Sequence, residues 1–149
     1  MSRMILAGVA AAMSLSASLA MASPRDEAQA LLTAALAETK AKGVDGAAKE
    51  ISNGGAWVKG STYVFVADLK ANILAHAVNP KMIGKNLWEV KDAAGKLFVQ
   101  EQVKIVQESG KGSVQMRWMN PSTKQIGDAE ALVARIPGSE AYLGAVYFK

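Results

Sequence analysis

Along the first third of the chain, apolar residues recur at three- and four-residue steps. Over residues 23–42 they fall at Ala28, Leu31, Leu32, Ala35 and Leu36, the one-sided stripe of an amphipathic helix. Ser23 can cap that helix, Pro24 suits its first turn, and Gly43 marks its end. A second, shorter helix is predicted over residues 45–51, stopped by Asn53, Gly54 and Gly55.

The texture then turns from helical to extended. Residues 63–67 and 73–78 are β-rich runs, and the 68–72 link between them is short enough for a hairpin. Asn79 and Pro80 break the second run, since proline has no N–H to give to a ladder. Residues 81–91 read as irregular or briefly helical. Residues 92–95 read as a turn that opens a helix over 96–109, with Leu97, Val99, Val103, Ile105 and Val106 as its apolar positions. Gly110 and Gly112 end it, and three strands remain, at 113–119, 129–136 and 142–148. Asn120-Pro121 and Pro137-Gly138 separate them as turns. The order of helix, helix, two strands, helix and three strands predicts an antiparallel α+β domain.

Residues 1–22 stand apart from this pattern. Arg3 supplies a positive start, residues 5–15 an apolar stretch, and Ala20, Met21 and Ala22 a small-x-small cleavage signature. They are expected to be a cleavable signal peptide, which places the protein in the periplasm or outside the cell. The alternative is an uncleaved anchor, but this stretch is built from Ala and Ser rather than from residues that hold firmly in lipid. The remaining 127 residues of the 149 match one common domain size, so 23–149 is expected to be a single domain.

Composition then excludes several functions. With no cysteine, the domain has neither disulfides nor thiolate chemistry, and its core must come from packing alone. Removing Arg3 leaves 16 basic residues against 13 acidic, a net charge of about +3. The basic residues are scattered, without the clustering that nucleic acid or an anionic membrane demands, so no nucleic-acid partner is expected. No phosphate loop, dinucleotide fingerprint or nucleophile elbow is present, and no enzyme activity or cofactor is expected.

Several pieces, in order, resemble the single Cache domains, extracytoplasmic small-molecule sensors of bacterial chemoreceptors and kinases. Residues 63–68 are similar to that family's first strand. Residues 73–76, with Asn79-Pro80 and residues 83–87, are similar to its second strand and connecting loop. Asp92 and residues 95–98 resemble the turn before its helix; residues 112–118 with Asn120-Pro121 resemble its third strand, and 143–147 its closing strand. The resemblance implies a PAS-like antiparallel five-stranded sheet with a long N-terminal helix, the Cache fold. Residues 23–53 would supply the N-terminal helices, and 62–149 the sheet with one inserted helix. The chain departs from the family at Met116, where relatives carry an aromatic, and at Ala129 and Leu132, aligned with a Lys and a Tyr that often hold ligand.

The candidate ligand-binding residues are Tyr63, Phe65, His76, Trp88, Met116, Arg117 and Trp118. His76, the only histidine, is either a pocket donor or a packed strand residue, and one histidine cannot build a common metal site. Strand alternation puts Met116 and Trp118 on one face and Arg117 on the other. Arg117 then points to solvent if the apolar face lines the pocket, or clamps a carboxylate if the strand is twisted or bulged there. Tyr63 and Phe65 share a face, and aromatics of this kind line either a core or a pocket. Asp68 and Asp92 fall at turns, where their carboxylates bond backbone amides.

The expected function is a periplasmic small-molecule-binding protein of sensor type, taking a small polar or carboxylate-type metabolite. Nothing follows Lys149 in the sequence, so any signal is expected to pass by contact with a membrane receptor or another periplasmic protein. The alternative is an accessory subunit whose pocket has degenerated, recognisable by an exposed apolar patch on the N-terminal helix.

Overall fold

A computed structural model describes residues 22–149. The predicted signal peptide therefore lies, but for Ala22, outside the described residues. Ser23 begins the first helix, α1 (Pro24–Ser52), through a reciprocal cap. Its hydroxyl accepts from the Asp26 N–H at 3.1 Å, and the Asp26 carboxylate accepts from the Ser23 N–H at 3.3 Å. Gly43 interrupts α1 with φ +73° and ψ 174°, a conformation that residues with a Cβ seldom adopt. The two helices read from the sequence are thus the two arms of α1.

Six strands follow in antiparallel array: β1 (Val58–Lys59), β2 (Thr62–Asp68), β3 (Ile73–His76), β4 (Lys111–Met119), β5 (Ile126–Arg135) and β6 (Ala141–Phe148). The sheet order is β1-β2-β6-β5-β4, with β3 also on β2. The five expected strands are present, and β1 is a two-residue addition at the start of β2. β3 stops at His76 rather than at 78, where Asn79-Pro80 ends the run. The second helix, α2 (Phe98–Ser109), starts two residues later than expected and ends at Gly110, φ +77°.

The central strands read as unbroken apolar runs because both their faces are covered. All of β6 except Phe148, and all of β2 except Asp68, is buried. On one face lie Val64, Val66, Leu143, Ala145 and Leu132, aligned by the β2–β6 and β5–β6 registers, and α1 packs there. Leu31, Leu32, Ala35 and Ile51 are among its buried positions; each large one contributes about 1.5–3 kcal/mol through burial. An ion pair between Arg25 and the buried Glu130 ties the first turn of α1 to the sheet. Burial alone would raise the Glu130 pKa, but hydrogen bonds from Tyr147 and Arg25 and the charges of Arg25 and Lys149 hold it below the ordinary carboxylate range.

The opposite face carries Tyr63, Phe65, Val146, Tyr142, Met116 and Trp118. α2 covers part of it, with the Tyr142 hydroxyl donating to Gln102 Oε1 at 2.8 Å. Phe65 stands opposite Gly144 in the β2–β6 register, and its ring occupies the space where a Cβ on Gly144 would sit. Gly144→Ala is therefore expected to destabilise the domain by about 1–3 kcal/mol through overpacking. Urea denaturation measures this, and Phe65→Leu in the same chain should recover part of the loss. Equal stability of Gly144→Ala and the parent would contradict this packing.

Candidate functional site

Residues 77–97 form a strap that crosses the second face from one sheet edge to the other. At the β3 edge the Ile73 N–H donates to Lys85 O at 2.9 Å, and the Gly84 N–H to Ile73 O at 2.8 Å. At the β4 edge the Ala93 N–H donates to Arg117 O at 3.1 Å. Asp92 makes the second fastening there. Its carboxylate accepts from the backbone N–H groups of Ala94, Lys96 and Arg117 at 3.0, 2.8 and 2.8 Å. Burial alone would raise its pKa, but those three donors and the Lys96 charge hold it low. Asp68 likewise accepts from the Lys70 and Asn72 amides, so both aspartates bond turn amides as expected.

Two spaces open beneath the strap. An inner one of about 30 Å³ is almost filled by Phe65, Ile73, Leu87, Phe98, Met116 and their neighbours. An outer cleft of about 720 Å³ runs from Val78 and Met82 past Ala93 to Pro121 and Ile126. Tyr63, His76, Met82 and Trp118 line both and form the wall between them. The first holds a water or two, whereas the second is in the size range of small-ligand sites.

His76 gives this wall its polar character. Its ring lies over Tyr63, with centroids 4.9 Å apart. Nδ1 accepts from the Asn79 N–H at 2.9 Å, which fixes the neutral tautomer with the proton on Nε2. Burial pulls the imidazole down from 6.5 to about 4, so it stays uncharged at neutral pH. A neutral donor, Nε2–H, thus lines an apolar space. Beside it the Trp118 indole lies against the Tyr63 hydroxyl, whose pKa burial raises.

The structure brings together six of the seven candidates: Tyr63, His76 and Trp118 in the wall, Phe65 and Met116 around the inner space, and Arg117 along the outer cleft. Trp88 is corrected. Its indole is half-exposed and lines neither space, because its main chain is held by Asn86 Oδ1 and Gln100 Nε2 within the strap. Arg117 lines the outer cleft but has a partner of its own. The β4–β5 register runs without a bulge through Arg117↔Asp128, so the guanidinium pairs with Asp128 at 2.8 Å rather than forming a free clamp. Arg117 still belongs to the cleft wall.

The same register separates the two departures in β5. Ala129 pairs with Met116 and shares its face, whereas Leu132 turns toward α1. Sequence reasoning missed Asn79, Lys81, Met82, Lys91, Lys124 and Ile126, which line the cleft from three separate stretches of chain. No periodic signal joins them; only the proline and asparagine turn markers hinted at where the loops would meet. Among the described residues, no group of three His, Asp or Glu side chains is arranged to hold a metal ion.

The buried neutral His76 has a consequence for stability. The unfolded chain takes up a proton near pH 6.5 that the folded chain refuses until about pH 4, so stability is full above the first value and falls toward the second. Above about pH 5 the low-pKa carboxyls of Asp92 and Glu130 are ionised in both states, leaving His76 to set the slope. Urea midpoints measured from pH 7 to pH 5 should fall in the parent and stay nearly level in His76→Gln. An unchanged slope in the variant would contradict the assignment.

Comparisons with known proteins agree with this fold. The family model for single Cache domain 2 matches residues 6–148. A periplasmic sensor domain of a chemotaxis protein superposes with a TM-score of 0.65 at 24% identity, covering 81% of this chain and 87% of that one. A methyl-accepting chemotaxis protein from Vibrio parahaemolyticus gives 0.70 at 19% identity, covering 83% and 87%. A Cache chemosensory domain described for carboxylic acid recognition gives 0.64 at 25% identity, covering 81% and 85%. No curated protein matches the chain.

Proposed function

This chain belongs to the single Cache domain 2 family, and we propose that it binds a small polar or carboxylate-type metabolite between its sheet and the strap of residues 77–97. Cache domains are extracytoplasmic sensor modules that bind ligands, and no helix among the described residues is long and apolar enough to cross a membrane. One observation carries the reading. A cleft of about 720 Å³ has at its base a neutral His76 donor, with Tyr63 and Trp118, in an otherwise apolar wall. A few oriented polar groups in apolar surroundings are what fixes a small ligand in place. None of these groups is arranged as a nucleophile and base, so the proposed role is binding without covalent change.

The leader over residues 1–22 is part of the same proposal. Cleavage after Ala22 would leave Ser23, the cap of α1, as the first residue, so the helix would begin where the mature chain begins. Intact mass of the protein recovered from a periplasmic fraction reads this directly.

The accessory-subunit reading has one observation in its favour, the small inner space of about 30 Å³ packed by Met116 and its neighbours. Its expected helix patch does not support it. Among the described residues the exposed large apolar side chains are Ile83, Trp88, Met119 and Ile126, in the strap and at the β4–β5 corner.

Ligand binding raises stability by mass action, about 2.7 kcal/mol at a ligand concentration 100 times its Kd. Thermal-shift screening of small carboxylates, amines and ureas should therefore find at least one compound that raises Tm by several degrees, with saturation in equilibrium dialysis. A flat response across all three classes in both assays would overturn the proposal.

A further inference from the structure

The two spaces beneath the strap differ in what they can hold, and the difference bears on the ligand. The inner one, about 30 Å³, admits a water or two but not a carboxylate with its methyl group. Met116 occupies the sheet face there, opposite Phe98 and Val99 of α2. The outer cleft, about 720 Å³, is the space with room for an organic molecule.

Its charge is one-sided. Lys81 and Lys91 line it from the strap and Lys124 from the β4–β5 turn, and all three are exposed at its rim. None of the ion pairs found among the described residues engages them. Asp92 is the one carboxylate in the lining, and its oxygens are occupied by the amides of Ala94, Lys96 and Arg117. A cleft with basic groups around a low-dielectric wall concentrates anions. Apart from His76 and the Tyr63 hydroxyl the wall is apolar: Met82 and Trp118 lie inside, and Met119 and Ile126 pair across β4 and β5 at the lip, 51% and 45% exposed. Exposed apolar side chains paired beside a lysine rim suit a ligand with an apolar body and an anionic head.

We infer that this chain seats its ligand in the outer cleft, and that the ligand is an amphipathic organic anion, a carboxylate on an aromatic or similarly bulky apolar body. This inference rests on the ligand-binding reading above and narrows it. The apolar body lies against Trp118, Met82, Met119 and Ile126, while the carboxylate meets the lysine rim.

Isothermal titration of the domain with phenylacetate and with acetate tests it, in the parent and in Lys81→Gln/Lys91→Gln/Lys124→Gln. The three lysines are exposed, so the variant keeps its fold, and circular dichroism and Tm check that it does. Phenylacetate is expected to bind at least roughly tenfold more tightly than acetate, and the triple variant to lose roughly tenfold or more of that affinity. Raising salt from about 20 to about 200 mM should weaken parent binding and leave the variant little changed.

Acetate binding as tightly as phenylacetate, or unaltered phenylacetate affinity in the triple variant, would overturn the inference and leave ligand binding standing. So would silence from both anions while an amine or a urea raises Tm. Silence from every compound would overturn the ligand-binding reading as well.

Discussion

The carboxylate of Asp92 holds together what a turn alone could not. By accepting three backbone N–H groups, it closes its own turn and also stitches that turn to the outer edge of β4 at Arg117. A charge-assisted bond to backbone is stronger than a neutral one, and here three converge on one buried group. The far end of the same segment is fastened to β3 by Ile73 and Gly84. A strap pinned at both edges must pass over the face between them, and that passage creates the inner and outer spaces. The same fastenings shield the free edges of β3 and β4 from pairing with another chain.

What the strap encloses is set by the sheet beneath it. α1 covers one face of β2 and β6, whose residues are buried except Asp68 and Phe148, and the strap and α2 lie over the other face, which carries the candidate site. On that face aromatic and polar groups alternate with apolar ones. His76 sits at the end of β3, where the chain turns back and the Asn79 amide reaches its Nδ1. The imidazole is thereby fixed as a neutral donor in a poorly solvated place, where a single hydrogen bond to a ligand counts for more than in water. Met116 and Phe65 fill the deeper space, so the room for a ligand lies outward, under the lysine rim.

The fold was largely legible because its signals are local. Ser23 with Pro24, the break at Gly43, and the apolar runs of β2 and β6 each follow from a few neighbouring residues. The face assignment of β4 was also legible, since alternation separates Arg117 from Met116 and Trp118 and no bulge disturbs it. β1 was not, because two residues carry no period. The site was legible only where it coincides with strands. Tyr63, Phe65, His76, Met116 and Trp118 meet as the strand pattern suggested, whereas Trp88 lies in the strap with its main chain held and its ring outside. Lys81 and Lys91 lie in the strap and Lys124 in the β4–β5 turn, and only the tertiary path of these two segments brings them to one cleft. Which face Leu132 takes came only from the register, for one step along β5 moves a side chain to the other face.

Backbone amide shifts of the isotope-labelled domain, followed by NMR during titration with a carboxylate, amine or urea that raises its Tm, test the central claim that ligand is held between sheet and strap. The account predicts saturable shifts at Tyr63, His76, Ala93 and Trp118, with the buried stretch of α1 around Leu31, Leu32 and Ala35 nearly still. Shifts concentrated along α1, or none at the strap and its wall, would contradict it.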